Sequence, residues 1–466
     1  MNAISRSHRR ALEILIPIAV LCLIGYGNRF WRSPQGELLP IRLEARHAED
    51  APRSSAEASV PAHSYRQLAA PARAVGADAL GVARTKATGT PLPTEIRVGA
   101  GLPDEMIRAA LALNDVPAAD SDYAWLIAAT RSETTDLERR LFEDADDGRW
   151  DTLSLPEAAA VAAGVRDAAE LQWLRRRMEF HVRNASRRID AGASARQRLE
   201  TVFRYLHEEI LTGDYRLEAT SPLEPLTRGR YNCVSATVWF CALAERLGLS
   251  AEPLQSPTHA YCRVDCQGRP VIVEATCAEW FDLRRGDHGE SRDSRLVGGT
   301  EGGENGPLIS GPKFAGKPDP YGDATRSLSP VALVGTVYYN RGVEAVLKKR
   351  FAEAVADNVK ALFLDPGNRT ARDNLLAALN NWAIAAAGAK DYPAAAQRLR
   401  LAVRIDPDYG PLPGNVAQLY ARWALHLAEM QDTAQAATVI REALDLLPSD
   451  PNFAEQRRFL QSLSIR

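Results

Sequence analysis

The pattern of apolar and polar positions predicts helices over much of the stretch from residue 103 to residue 211. Apolar side chains recur there at spacings of three and four, the period at which one face of an α-helix is buried. The clearest stretches with this pattern are residues 104–113, 155–163, 168–182 and 199–210. We therefore expect a helical region over residues 103–211.

A longer apolar run occupies residues 234–247. Asn232 stands before it as a favoured N-cap residue, and Gly248 stands after it as a residue that ends helices. The run therefore predicts a buried helix that begins at Cys233, with the thiol in its first turn.

The composition of residues 258–276 is typical of two strands joined by a two-residue turn at 267–268. With that turn, Tyr261 lies opposite Glu274, and His259 becomes the diagonal neighbour of Glu274 on the same face of the hairpin. Diagonal cross-strand neighbours are close enough for long side chains to meet. The register therefore predicts contact between an imidazole and a carboxylate.

The C-terminal third of the chain repeats at a step of 41 residues. Each unit predicts two helices with small residues where they cross and a proline that ends the second helix. The recurring positions are Phe351, Tyr392 and Thr433, each followed by alanine three residues later, then Ala361, Ala402 and Ala443, and finally Pro366, Pro407 and Pro448.

These units resemble the tetratricopeptide repeat over residues 336–450. Tyr338 and Gly342 fit that family's pattern, whereas Trp382-Ala383 stands where the family has Leu-Gly, as does its counterpart 41 residues later. The family period is about 34 residues, so we expect longer helices or longer turns here. The resemblance implies an all-α solenoid that binds a protein partner, although short solenoids also serve as structural braces.

The N-terminus contains a short apolar segment, residues 14–26, that follows several arginines. A signal peptide that is later removed is one interpretation. The bulky residues after Gly25 do not form a small-residue cleavage site, which favours an uncleaved single-pass membrane anchor. The charges around the segment indicate that the body of the protein is exported.

Composition shifts divide the rest of the chain. We predict five regions: a membrane anchor or signal segment (1–32), an Ala/Pro/Ser-rich linker (33–101), a helical region with the candidate core (102–283), a Gly-rich loop or linker (284–330) and the helical repeats (331–466).

The bulk composition limits the function classes. The chain has 466 residues, which favours two or three folded units over one core. Its formal net charge of -2 and its scattered basic residues give no reason to expect a nucleic-acid partner. Six cysteines are too few for a disulfide framework. If the body of the protein is exported, one disulfide could form between two of Cys241, Cys262, Cys266 and Cys277, and the sequence does not select the pair.

Three residues carry the candidate chemistry: Cys233, His259 and Glu274. A thiol in the first turn of a helix feels the positive end of the helix dipole, which lowers its pKa and favours the nucleophilic thiolate. Glu274 would orient the imidazole and stabilise its protonated form. A zinc site at His259, Cys262 and Cys266 is disfavoured, because strand alternation places the two cysteines on the opposite face.

The order of these residues resembles the transglutaminase-like superfamily over about residues 195–282. The matching segments are Arg228-Gly-Arg-Tyr-Asn-Cys233, Pro257-Thr-His-Ala and Val273-Glu-Ala-Thr. The resemblance implies a papain-like α+β core, with Cys233 as nucleophile, His259 as general base and acid, and Glu274 as third member. Two departures are the Glu in place of the usual Asp and the short interval of 26 positions from Cys233 to His259.

Two functions follow from these features. The first is a membrane-tethered thiol enzyme that acts on amide bonds of peptides or proteins, as a peptidase, an amidase or a transglutaminase. It needs neither cofactor nor metal. The alternative is a non-catalytic scaffold, in which the fold and the repeats bind protein partners. A disulfide-exchange protein is disfavoured, since the chain has no Cys-x-x-Cys pair.

Overall fold

The computed structural model describes residues 121–132, 134–256, 259–282, 325–449 and 451–463. Within them the chain is mainly helical, with one small antiparallel sheet of four strands, which confirms the predicted combination of helices and sheet at that level. No helix in these ranges is long and apolar enough to cross a membrane. The predicted anchor, the linker, the helix at 104–113 and most of the Gly-rich segment lie outside the described residues.

Within the described residues, six helices precede Cys233. The predicted stretches at 155–163, 168–182 and 199–210 all correspond to helices. In chain order the six are α1 (Ser121–Ser132), α2 (Asp136–Asp144), α3 (Leu155–Ala162), α4 (Ala168–Ser186), α5 (Ala195–Glu209) and α6 (Glu224–Arg228).

Helix α7 (Cys233–Arg246) follows and is apolar on nearly every side, with buried residues from Val234 to Ala244. It contacts helices α3, α4 and α5 as well as two strands of the sheet, which explains why the run lacks a polar face. Its C-terminal turn leads into Gly248, whose φ of +76° is the left-handed conformation that favours glycine. Both predicted ends of this helix are confirmed.

The sheet has the strand order β3-β2-β1-β4. Strands β2 and β3 pair with Cys262 opposite Val273 and Asp265 opposite Pro270, which is the predicted hairpin register. Strand β1 lies between α7 and β2 in the short interval from Cys233 to His259. The strands are β1 (Ser250–Ser256), β2 (His259–Asp265), β3 (Pro270–Val273) and β4 (Arg326–Ser327).

The repeats form three helical hairpins, as the 41-residue step predicts. The first helix of each pair has 18 to 20 residues and the second has 14, so the extra length of the unit lies in its helices. The pairs are α8 (Pro330–Leu347) with α9 (Phe351–Leu364), α10 (Arg369–Gly388) with α11 (Tyr392–Ile405), and α12 (Leu412–Glu429) with α13 (Thr433–Leu446); a 3₁₀ turn (Pro451–Phe453) and α14 (Ala454–Leu463) follow.

The end of the Gly-rich segment has structure that the sequence did not predict. Residues 326–327 form β4 on the open side of β1, and helix α8 begins at Pro330, with Ser329 as its N-cap. The first repeat is therefore joined directly to the sheet.

The helical region and the repeats share one hydrophobic core. A buried ion pair fixes this contact: Lys360 of α9 donates to Glu138 of α2 at 2.9 Å, and the Tyr338 hydroxyl of α8 donates to the same carboxylate at 3.1 Å. Burial alone would raise the pKa of Glu138, but the charge and hydrogen bond of Lys360, the backbone N–H of Thr135 and the charge of Arg341 together outweigh it and lower the pKa.

Candidate active site

Cys233 is the first residue of α7, and the side chain of Asn232 holds it there. The Asn232 Oδ1 accepts hydrogen bonds from the backbone N–H groups of Val234 at 2.9 Å and Ser235 at 3.0 Å. Its Nδ2 donates to the Leu217 carbonyl at 2.9 Å and to the Thr220 hydroxyl at 2.7 Å. Because every polar atom of this amide is used, the start of the helix and the thiol have a fixed position.

His259 begins β2, and the hairpin places Glu274 directly beside it, as predicted. The His259 Nε2 lies 2.5 Å from Glu274 Oε2, and both residues are buried. A carboxylate only accepts hydrogen bonds, so Nε2 carries the proton. The other carboxylate oxygen, Oε1, accepts from the Thr276 backbone N–H at 3.0 Å and from the Thr276 hydroxyl at 2.5 Å. Glu274 is therefore held on both sides.

The imidazole leaves one ring nitrogen for the thiol. Since Glu274 occupies Nε2, only Nδ1 of His259 is left; this buried atom has no partner at ordinary hydrogen-bond geometry, but the ring lies close enough to the Cys233 thiol for the two side chains to interact. Catalytic hydrogen bonds are often long or poorly aligned before substrate binds. Cys233 is partly accessible to solvent, as a nucleophile must be.

The electrostatics of the three groups favour an ion pair. Burial would raise the pKa of the Cys233 thiol, but the hydrogen bond and charge of His259, together with the Ala260 backbone, outweigh it and hold this pKa below its ordinary value. Burial would lower the pKa of His259, whereas the charges of Glu274 and Cys233 raise it well above 6.5. The protonated ring in turn lowers the pKa of Glu274 against the opposing effect of burial. These directions favour a thiolate beside an imidazolium.

The other described cysteines have a different environment. Burial raises the pKa of Cys262, Cys266 and Cys277, the last to about 12. Cys262 Sγ lies 3.4 Å from Cys241 Sγ, on the side of the sheet that packs on α7, and all five described cysteines are free thiols. Cys262 thus lies away from the imidazole, as strand alternation predicts. Among the described residues, no group of three or more metal-ligating side chains comes together.

A second histidine approaches the carboxylate without taking the same role. Burial lowers the pKa of His207, on α5, to about 4, although Glu274 acts in the opposite direction. His207 is therefore neutral near pH 7. His259 has the strong carboxylate contact and the neighbouring thiol, so it alone fits the acid-base role.

Two tyrosines near Cys233, and a glutamine that binds one of them, were not predicted from the sequence. The hydroxyl of Tyr215 lies beside both the sulfur and the backbone N–H of Cys233, and burial and the thiolate charge raise its pKa. Tyr339 of α8 also lies near the thiolate, and Gln255 of β1 donates a hydrogen bond to its hydroxyl at 2.9 Å. Nothing in the local pattern around these residues distinguishes them from packing residues.

Comparison with protein-family models, with curated proteins and with solved structures gave no match to this chain. The functional argument therefore depends on the geometry of the chain's own residues.

Proposed function

We propose that the protein is a thiol enzyme that breaks or exchanges amide bonds of peptides or proteins through an acyl-enzyme on Cys233. The observation that carries the proposal is the contact of a buried imidazole with a doubly held carboxylate on one side and the thiol of a capped helix N-terminus on the other. The same order of residues and the surrounding helix and hairpin support membership of the transglutaminase-like superfamily, with tetratricopeptide-like repeats after it.

These three side chains carry out the bond-making, bond-breaking and proton-transfer steps. The Cys233 thiolate attacks the amide carbon, and the carbonyl π electrons move onto oxygen to give a tetrahedral oxyanion. The oxyanion collapses as the protonated His259 ring donates its proton to the leaving nitrogen, so that a C–N bond breaks and a thioester forms. Glu274 stabilises the charged ring throughout.

The second half of the reaction releases the acyl group. Neutral His259 takes a proton from water or from an amine as that nucleophile attacks the thioester carbon. The C–S bond then breaks and the thiolate returns. Water gives hydrolysis and an amine gives transfer, and both use the same residues.

A thiol-labelling experiment tests the nucleophile. We expect iodoacetamide at pH 7 to alkylate Cys233 far faster than the other cysteines, with the modified residue located by mass spectrometry. Cys277→Ala is the matched control, because Cys277 is also partly exposed but has a raised pKa. Equal labelling of wild type and Cys233→Ala, with no effect of His259→Ala, would leave only the non-catalytic scaffold.

A product assay then distinguishes the two reactions. The protein is incubated with a library of glutamine-containing peptides, with and without a fluorescent primary amine, and the mass of each product is measured by mass spectrometry. Cleavage of the peptide indicates a peptidase. A gain in mass of about 1 Da, from hydrolysis of a side-chain amide to a carboxylate, indicates an amidase. Incorporation of the amine indicates a transglutaminase. Cys233→Ala must abolish whichever product forms.

The proposal extends to the location and the partners of the enzyme. The apolar N-terminal segment would tether it to a membrane with the body exported, and the helical repeats would bind a protein partner. Fractionation of cells that express the full chain tests the tether: extraction by detergent but not by high salt is expected, and removal of residues 1–32 should release the protein.

A further inference from the structure

The first repeat helix contacts α7, which begins at Cys233, and β1, the strand that pairs with the strand of His259. Tyr339 of α8 accepts a hydrogen bond from Gln255 on β1, the strand whose Ser256 pairs with His259. Its neighbour Asn340 donates to the Thr220 hydroxyl at 3.4 Å, and that hydroxyl also binds the Asn232 side chain at the start of α7. Two consecutive residues of the repeats thus reach the strand next to that of His259 and the polar contacts that cap the helix of Cys233.

A chain of polar contacts fixes the direction of the hydrogen bond to Tyr339. Arg326 of β4 donates to Gln255 Oε1 from Nη2 at 2.6 Å and from Nε at 3.2 Å, and its Nη1 donates to Asp365 at the end of α9 at 2.9 Å. Because guanidinium nitrogens only donate, the amide atom that they bind is the oxygen. The Gln255 amide nitrogen therefore faces Tyr339 and donates to its hydroxyl.

This arrangement leaves the proton of the Tyr339 hydroxyl unused. The hydroxyl accepts from Gln255, and among the described residues its own proton has no acceptor. Tyr339 is half-buried, and its partner Gln255 lies opposite Ala260, the residue that follows His259 on β2. Burial and, after it, the thiolate charge of Cys233 raise the pKa of Tyr339. Tyr215 differs, because its hydroxyl already contacts the sulfur and the backbone N–H of Cys233.

We propose that the Tyr339 hydroxyl donates a hydrogen bond to the acyl oxygen of a substrate attacked by Cys233, so that the first repeat completes the active site. The proposal rests on the thiol-enzyme function above and adds a catalytic residue to it. Donors held in place before reaction stabilise the oxyanion without reorganisation. Gln255, Arg326 and Asp365 act as positioning residues for this donor.

Two probes separate this role from an effect on the thiol. Acylation by p-nitrophenyl acetate passes through an oxyanion, with a new S–C bond and release of p-nitrophenolate. Alkylation by iodoacetamide forms an S–C bond and releases iodide with no oxyanion. We expect Tyr339→Phe to slow acylation on the order of 10²-fold, the usual effect of losing one such donor, while alkylation keeps the wild-type rate.

Gln255→Glu provides an independent variant. The carboxylate keeps the contact with Arg326 but can only accept, so that it draws the proton of Tyr339 away from the substrate. We expect this variant to slow acylation as much as Tyr339→Phe, and the double variant to lose no more than either one. Tyr409→Phe is the control, since the Tyr409 hydroxyl donates to the Asp373 carbonyl in the second repeat, outside the site.

The outcomes separate the two proposals. If acylation of wild type equals that of Cys233→Ala, the thiol-enzyme function is wrong. If wild type is acylated through Cys233 but Tyr339→Phe is acylated at the same rate, only the role of Tyr339 is wrong. Equal slowing of acylation and alkylation in Tyr339→Phe would also overturn it, because the hydroxyl would then act on the thiolate or the fold. Thermal unfolding compared with Tyr409→Phe checks that the fold is intact.

Discussion

Replacing Glu274 by Gln removes one negative charge from the centre of the candidate site and leaves the shape of the side chain almost unchanged. The carboxylate and the His259 ring approach to 2.5 Å, so their charge centres lie roughly 4 Å apart. At an effective dielectric constant of about 20, that separation corresponds to an attraction of about 4 kcal/mol. Loss of the attraction therefore lowers the pKa of His259. About 4 kcal/mol corresponds to roughly a 10³-fold change in an equilibrium constant.

The effect reaches the nucleophile through the ring. With a less stable imidazolium, the Cys233 thiolate loses the charge that holds its pKa below the ordinary value of 9.0. Thiolate forms above the thiol pKa, so we expect the rise in alkylation rate to move to higher pH in Glu274→Gln. Near neutral pH the iodoacetamide rate should fall by up to about 10³-fold, the full value of the lost attraction.

The assay is the rate of alkylation of Cys233 by iodoacetamide from pH 5 to pH 10, followed by mass spectrometry. Glu279→Gln is the matched control, because Glu279 is an exposed carboxylate five positions further along the chain. We expect it to keep the wild-type profile. A Glu274→Gln profile that coincides with wild type would refute the reasoning, since the carboxylate would then have no effect on the ion pair.

Two stability predictions follow from the capping and ion-pair contacts. Asn232→Ala should lower the free energy of unfolding by about 1–2 kcal/mol and slow the alkylation of Cys233. Asp391→Ala removes an exposed N-cap in the repeats, so it should lower the free energy of unfolding by a similar amount and leave the alkylation rate unchanged. Lys360→Met should cost about 3–5 kcal/mol in urea unfolding because it strands a buried carboxylate, against about 0–1 kcal/mol for Lys348→Met in an exposed pair. The pKa of Glu138 is lowered on folding, so the Lys360→Met deficit should shrink as pH falls below about 4.5.

Local patterns in the sequence were sufficient to predict the geometry of the hairpin and the helix start. The turn at Gln267-Gly268 fixes the register, and strand alternation then determines that His259 and Glu274 share a face. The cap of α7 is equally local, since Asn232 lies next to the residues that it binds. The structure confirms both predictions because neither depends on contacts distant in sequence.

The rest of the site depends on contacts that no local pattern contains. Tyr339 lies 106 positions after Cys233, in a helix whose sequence reports only its own repeat. Arg326 follows a Gly-rich stretch with no strand pattern, and β4 has only two residues. Gln255 is a polar residue of the kind that usually faces solvent in a strand, but it is buried, and its amide contacts Tyr339 of helix α8. These residues come together through tertiary packing, which periodicity alone does not predict.

The way in which the repeats are attached is consistent with the role proposed for them in the proposed reaction. A module that only recruits a partner can be joined to the rest of the protein by a flexible linker, and its orientation relative to the active site need not be fixed. Here the first repeat shares a buried ion pair with α2 and a polar chain with β1 and β4. Buried ion pairs give little net stability, but they fix how two elements fit together. Such fixed docking is what a wall of an active site requires, and it is consistent with a hydroxyl of α8 that contacts the substrate.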